Sequence, residues 1–284
     1  MEGKVFELKG VSFTYLGKFP ALRDIDLEIG AGEKIALLGA NGSGKSTLLQ
    51  ILDGLLFPQK GEVRFFGQNL TEESLKDEKF NYFFRKTVGL VFQNSDLQLF
   101  SGTVWDEIAF GPIQLDLTQD EVEKRVLDIL KLLRVDDLRD RPPYQLSEGE
   151  KRKIAIGSVL SINPDILLLD EPTGGLDPRS SRELVDLIIG FHEAGKTIIT
   201  ATHDLHIVPE IAERIYILDE NKKVVARGET EEILSNQELL HNTNLIHIHK
   251  HRHKTYWHLH PHQHIDLHDH PHTEAPLDKF SGIP

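Results

Sequence analysis

The sequence predicts an α/β fold built around a parallel sheet, with an antiparallel β subdomain, a helical subdomain and a histidine-rich tail. Three observations carry this. An apolar run, Ile35–Leu38, meets a glycine-rich loop and then a helix-like run, Thr47–Leu52. Two later runs, Ile166–Leu169 and Thr197–Thr200, are continuously apolar or β-branched, as strands buried on both faces are. Residues 1–30 instead alternate, as half-buried antiparallel strands do.

In chain order, Val5–Leu8, Val11–Phe13 and Ile25–Ile29 read as short strands, the last ending at Gly30. After the glycine loop and its helix, a strand pair surrounds Gly61–Gly67, and Thr87–Phe92 reads as a buried strand. From there to residue 146 helix signals dominate. Thr118 and Glu121 form a capping box ahead of an amphipathic run to about Arg134. A crossover helix over Pro178–Glu193 joins the two later apolar strands. Ile215–Leu218 and Lys223–Ala226 form a closing hairpin around Glu220-Asn221, and residues 230–240 read as helical. Composition changes abruptly there, so the expected domains are 1–240 and 241–284.

The chain's 284 residues are 39% hydrophobic and 27% charged, an ordinary globular balance. No apolar run approaches the ~18 residues that cross a bilayer. The opening residues show no basic region followed by an apolar one, so no export signal is expected and the expected location is cytoplasmic. The chain has no cysteine, which excludes disulfides and thiol catalysis. Residues 241–284 carry four Lys/Arg and four Asp/Glu, so the whole formal charge of −13 lies in residues 1–240. That charge argues against binding nucleic acid or anionic lipid. A role at a membrane would need a protein partner rather than insertion.

Gly39-Ala40-Asn41-Gly42-Ser43-Gly44-Lys45-Ser46 is a strand–loop–helix match to the phosphate-binding pattern G-x-x-x-x-G-K-[ST]. The glycines let backbone N–H groups wrap a phosphate, and the helix start adds positive potential. Lys45 would reach the β- and γ-phosphates, and Ser46 would bind Mg²⁺. Asp170 and Glu171 end the strand Ile166–Leu169, where reacting groups of open parallel sheets sit. Asp170 suits orienting Mg²⁺, and Glu171 suits activating water as a general base. Ser147 and Glu150 form a second capping box, so a helix starts there with a hydroxyl and free N–H groups at its tip. Gln93 and His203 each follow a buried strand, within reach of Mg²⁺ or water and of the γ-phosphate respectively.

Together these residues resemble the ATP-binding cassette (ABC) ATPases over about residues 4–228. In that family's order the P-loop is Gly39 to Ser46, extended by Thr47, and the Q-loop glutamine is Gln93. The resemblance implies that Leu146–Glu150 is the signature segment, with Ser147 and Gly149 facing the γ-phosphate of ATP held by a second ATPase copy. It implies that Asp170 and Glu171 are the Walker B carboxylates, Asp177 the D-loop residue, His203 the switch histidine and Tyr15 the aromatic stacked on adenine. One departure stands out: Glu148 and Glu150 replace the glycine and glutamine of Leu-Ser-Gly-Gly-Gln. A carboxylate near phosphate weakens binding unless it is paired, and Lys151 and Arg152 are the candidate partners.

Val91–Phe100 and Thr103–Pro112 closely resemble the ATPase subunits of energy-coupling-factor uptake systems, particularly the cobalt/nickel branch. That resemblance implies a peripheral ATPase on the cytoplasmic face of the membrane, bound to integral subunits through the segment after Gln93. Twelve of fifteen histidines lie between His241 and His272. His247, His249, His251 and His253, then His258, His260, His262 and His264, then His268, His270 and His272 alternate with other residues. Alternation puts imidazoles on one side of an extended chain, suited to Ni²⁺ or Co²⁺. The composition cannot build a packed core, so disorder without metal is expected.

The expected function is therefore ATP-driven uptake of nickel or cobalt, with a vitamin or zinc importer, or a metal sensor or store, as alternatives. Chromosome-type ABC ATPases need a long coiled coil between the P-loop and Asp170, and ribosome-type ones need two cassettes. This chain has neither.

Overall fold

The computed structural model describes residues 3–253 and 256–262. The strands are β1 (Lys4–Tyr15), β2 (Phe19–Gly30), β3 (Lys34–Leu38), β4 (Lys60–Phe65), β5 (Gln68–Asn69), β6 (Val88–Val91), β7 (Ile166–Asp170), β8 (Thr197–Thr202), β9 (Arg214–Leu218), β10 (Val224–Glu229), β11 (His247–His253) and β12 (Tyr256–His262). The helices are α1 (Lys45–Leu52), α2 (Glu78–Thr87), α3 (Val104–Gln114), α4 (Gln119–Leu133), α5 (Glu148–Leu160), α6 (Pro178–Glu193), α7 (Val208–Ile211), α8 (Thr230–Ser235) and α9 (Gln237–Asn242).

Two sheets form the body. The first is antiparallel in order β2-β1-β4-β5, and its alternating burial matches the alternation in its sequence. The second has the order β10-β9-β3-β8-β7-β6. Its strands from β9 to β6 run parallel, and β10 closes the edge as an antiparallel hairpin with β9. Every residue of β7 and β8 is buried, which is why neither run alternates.

Three apolar clusters hold these layers. One lies between the antiparallel sheet, α1 and one face of the parallel sheet, with Phe6, Phe65, Phe84, Leu48 and Ile51 at its centre. The second sits under α3, α4, α5 and α6. In α4, Val122, Val126, Ile129, Leu130 and Leu133 follow helical spacing and make one buried face. Each such side chain contributes roughly 1.5–3 kcal/mol when fully buried. The third cluster joins Ala36 and Leu38 of β3 to Leu240, Leu245 and Ile246.

Residues 230–240, read as helical, fall in α8 and α9. Asn236 stands between them in a non-helical conformation, and its side chain accepts the Leu239 N–H at 3.0 Å to start α9. The anticipated boundary at 240/241 falls inside α9, and packing continues to the buried Ile246. His247–His253 and Tyr256–His262 pair as the antiparallel ladder of β11 and β12. His264, His268, His270 and His272 lie outside the described residues. Among the described residues, no helix is long and apolar enough to cross a membrane.

Candidate nucleotide site

The C-terminal ends of four neighbouring parallel strands meet at one rim. β3 leads into the loop Gly39–Gly44, β8 into His203, β7 into Asp170 and Glu171, and β6 into Phe92 and Gln93. Such a rim is where ligands of open α/β sheets bind.

Two glycines of the loop, Gly39 and Gly44, answer to close approach. A Cβ on Gly44, whose φ is +110°, would lie 2.3 Å from the carbonyl oxygen of Ala21. One on Gly39 would lie 2.5 Å from that of Leu218. α1 then starts at Lys45 with no side-chain cap on its first N–H groups. Those groups face a pocket of about 450 Å³ lined by Tyr15, Asn41, Gly42, Gly44, Lys45, Ser46, Thr47, Gln93 and Glu171.

Lys45 is only 5% exposed; its ammonium donates to the Gly39 carbonyl at 2.7 Å and lies 3.3 Å from Glu171 Oε1. Glu171 is equally buried. Its second oxygen accepts the Thr202 hydroxyl at 3.1 Å, and Oε1 lies 2.9 Å from His203 Nδ1. Burying such a pair costs several kcal/mol of desolvation that mutual attraction only offsets, so its net stabilisation is small. What it does is orient a carboxylate at the pocket wall. Glu171 also has φ +45°, a left-handed conformation costing about 1 kcal/mol or more in a non-glycine residue. The surroundings hold it there: its N–H donates to the Ala201 carbonyl at 2.8 Å, and Gly174 donates to its carbonyl at 3.1 Å.

Asp170 lies beneath the pocket. Burial pushes its carboxyl up, opposed first by the neighbouring Ser46 hydroxyl, with Glu171 adding to the rise. Its Oδ1 is buried without a hydrogen-bond partner. A buried oxygen with no donor, beside a serine hydroxyl, is what a Mg²⁺ ion or its bound water would satisfy, so the residues fit that ion. Among the described residues no three His, Cys, Asp or Glu form a metal cluster by themselves. Phosphate and water oxygens, with the Gln93 amide that lines the pocket, would complete the shell of such an ion.

Tyr15 reaches the pocket from β1. Its hydroxyl is 3.2 Å from Thr47 Oγ1, and its ring meets Phe13 edge-on. Gly39, Ala40 and Ser43 form the turn behind the lining residues, Ser43 donating its N–H to the Ala40 carbonyl at 3.1 Å. Ser147, Gly149 and Asp177 do not line this pocket. Ser147 caps α5: Glu150 accepts both its N–H and its hydroxyl at 2.8 Å, and this bonding, the N–H first, lowers the Glu150 pKa. Gly149 lines a separate cleft of about 630 Å³ with Leu176 and Ser180, and Asp177 caps α6 through the N–H groups of Arg179 and Ser180.

Of the two cations expected to pair with the signature carboxylates, Lys151 does so, 3.1 Å from Glu148. Arg152 does not. It is buried and donates instead to the carbonyls of Phe92 (2.7 Å) and Gln93, tying α5 to the strand end that carries Gln93. Sequence reasoning also missed Phe19, Pro20, Ala21 and Lys222, which line the pocket. Phe19 was within reach, since it pairs with Tyr15 across a short turn. Lys222 carried no sequence signal.

The chain resembles known proteins over most of its length. The family described as ABC transporter matches residues 22–174. A Methanosarcina acetivorans protein, named only as an ABC transporter ATP-binding protein, is 48% identical over 86% of this chain and 90% of its own. The nickel import ATP-binding protein NikO of Rhodobacter capsulatus is 45% identical over 85% of this chain and 95% of its own. The structure of cbiO1 from Clostridium perfringens, part of the ABC transporter complex cbiONQ, is 35% identical with a TM-score of 0.71. It covers 85% of this chain and 95% of that one. The dimeric structure of MJ0796, a bacterial ABC transporter cassette, is 32% identical with a TM-score of 0.71, covering 79% and 98%.

Proposed function

This chain belongs to the ABC transporter family and is an ATPase, and from that premise we propose that it powers uptake of nickel or cobalt as a peripheral subunit of an energy-coupling-factor-type importer. The observation that carries the nucleotide part is the convergence of Lys45, Asp170, Glu171, His203 and Gln93 on one rim. The relative named for nickel import supports the choice of cargo.

In this reading the triphosphate lies along the loop Gly39–Thr47, with N–H groups of the loop and of α1 on its phosphates and Tyr15 at the base. Ser46, Asp170 and the Gln93 amide would hold Mg²⁺, which when bound would supply positive charge against the phosphates. Glu171, already oriented by Thr202 and His203, accepts a proton from the attacking water. Lys45 and His203 stabilise the charge that builds on the transferred group. Ser147 and Gly149 stand outside the pocket, so a second ATPase copy supplies them, and Asp177 faces that copy too.

Coupling to membrane subunits runs through the surface next to Gln93. Phe100 and Phe110 meet edge-on at 5.0 Å and stay exposed, as do Leu97 and Ile113. With Arg152 holding the Phe92 and Gln93 carbonyls, a shift of α5 is felt where a membrane partner docks. The ATPase unit ends at Ile246 in this reading, and residues 247–284 bind Ni²⁺ or Co²⁺. Supporting this, the ladder sets His247 opposite His262, His249 opposite His260 and His251 opposite His258.

The decisive experiment uses Glu171→Gln in the complex with its membrane subunits. ATP binding should persist, turnover should fall at least about a hundredfold, and the ATP-bound dimer should accumulate. Normal hydrolysis by that variant would remove Glu171 from the mechanism. Uptake of radiolabelled Ni²⁺ against Co²⁺ by the wild-type complex decides the cargo.

A further inference from the structure

We propose that Lys222, in the turn between β9 and β10, is a positioning residue for nucleotide: its ammonium tethers the crown of the phosphate loop in the shape that accepts phosphate. The proposal rests on reading the pocket as the nucleotide site.

The Lys222 ammonium donates to the carbonyl of Gly42 at 2.6 Å across 180 residues of sequence, and Lys222 itself lines the pocket. The peptide between Gly42 and Ser43 is planar and trans, so its N–H points opposite to its C=O. Holding that carbonyl towards the hairpin turns the Ser43 N–H the other way, into the loop, where it meets the Ala40 carbonyl at 3.1 Å. Gly42 has φ +79° and no side chain to resist a flip, so the Lys222 ammonium is what holds its carbonyl towards the hairpin.

The lysine is presented by a fixed frame. Its carbonyl accepts the Arg23 N–H of β2 at 2.8 Å, and its own N–H donates to Asp219 at 3.1 Å. The Asp219 carboxylate also accepts the N–H of Lys223 and the side-chain amide of Asn221. Lys222 itself sits at φ +68°, where glycine would be easier. A lysine at a glycine-like position, with its head group on the phosphate loop, points to a function for the side chain rather than for the turn. The ammonium also adds a cation to a wall otherwise made of Tyr15, Phe19, Pro20 and Ala21.

The test uses the full-length chain with ATP and magnesium and four variants: Lys222→Met, Lys222→Gly, Lys222→Arg and Lys45→Ala. Lys222→Met should weaken ATP binding and raise KM about fivefold or more, with kcat within about twofold. Lys222→Arg, which can still donate to the carbonyl, should restore most of the affinity. Lys222→Gly relieves the left-handed backbone and removes the tether. The nucleotide-free protein should therefore melt at the same temperature or higher while ATP affinity still falls. A residue serving only the turn would give the reverse, unchanged affinity in both Lys222→Met and Lys222→Gly. That outcome, with Lys45→Ala defective, overturns the Lys222 proposal alone. If Lys45→Ala binds ATP like wild type, the reading of the pocket itself fails.

Discussion

The starts of α1 and α5 are both built for negative charge, and they treat it in opposite ways. α1 follows Gly44 and has no side-chain cap, so its first N–H groups are left to whatever enters the pocket. α5 follows Ser147 and is sealed by its own residue: Glu150 takes the Ser147 N–H and hydroxyl while Ser147 takes the Glu150 N–H. An unsealed helix start must borrow an anion from outside, and one closed by a carboxylate has already supplied its own. Sequence resemblance gives both ends the same task, gripping the same triphosphate from two sides. The structure says that one side is ready and the other carries a competing charge.

The largest test of this contrast is Lys45→Ala. Removing the buried ammonium from the unsealed end should lower ATP affinity and turnover at least about a hundredfold, measured by titration calorimetry and phosphate release. A measurable loss that stays below about tenfold would mean that the bare helix start supplies most of the grip, and no loss at all would count against the pocket. Glu150→Gln probes the sealed end. The amide still completes the capping box, so folding should be unaffected, while removal of the like charge should favour ATP-driven dimerisation by about three- to tenfold. Sedimentation with ATP in the Glu171→Gln background reads this out. If Glu150→Gln dimerises less readily, the carboxylate is helping the contact rather than opposing it.

The smallest effect concerns the opposite end of α1, whose cap residue Asp53 is buried. Burial pushes its carboxyl from 3.8 up to about 7, with Arg85 opposing the rise. Between those values the folded chain holds a proton that the unfolded chain has released. Stability from this group is therefore full below pH 3.8 and is lost as pH rises towards about 7. Asp53→Asn should remove that slope, so the variant gains on wild type between pH 4 and 8 in urea melts. Parallel curves for the two proteins would show that Arg85, whose guanidinium lies 3.4 Å from Asp53, keeps the carboxylate charged.

Much of the architecture was legible because burial leaves a mark on sequence. Ile166–Leu169 and Thr197–Thr200 are apolar or β-branched because both faces are covered, and Gly39 and Gly44 are required by backbone carbonyls 2.3–2.5 Å from where a Cβ would go. Pairings between distant segments leave no such mark. Lys222 meeting Gly42, and Arg152 choosing the Phe92 and Gln93 carbonyls over Glu148 or Glu150, depend on how subdomains sit together. The histidines from His241 onward hid something too. Leu245 and Ile246 stand among polar neighbours and look like part of the tail, yet both are core.

Those two residues decide where the protein can be cut. Any shortening that removes them opens a hole beside Ala36 and Leu38, the strand that runs straight into the phosphate loop. Losses of 2–5 kcal/mol per large side chain are usual for such holes. A chain ended at residue 240 would thus lose activity through a damaged interior and mimic a requirement for metal. Only deletions beginning at His247 ask what the histidines do.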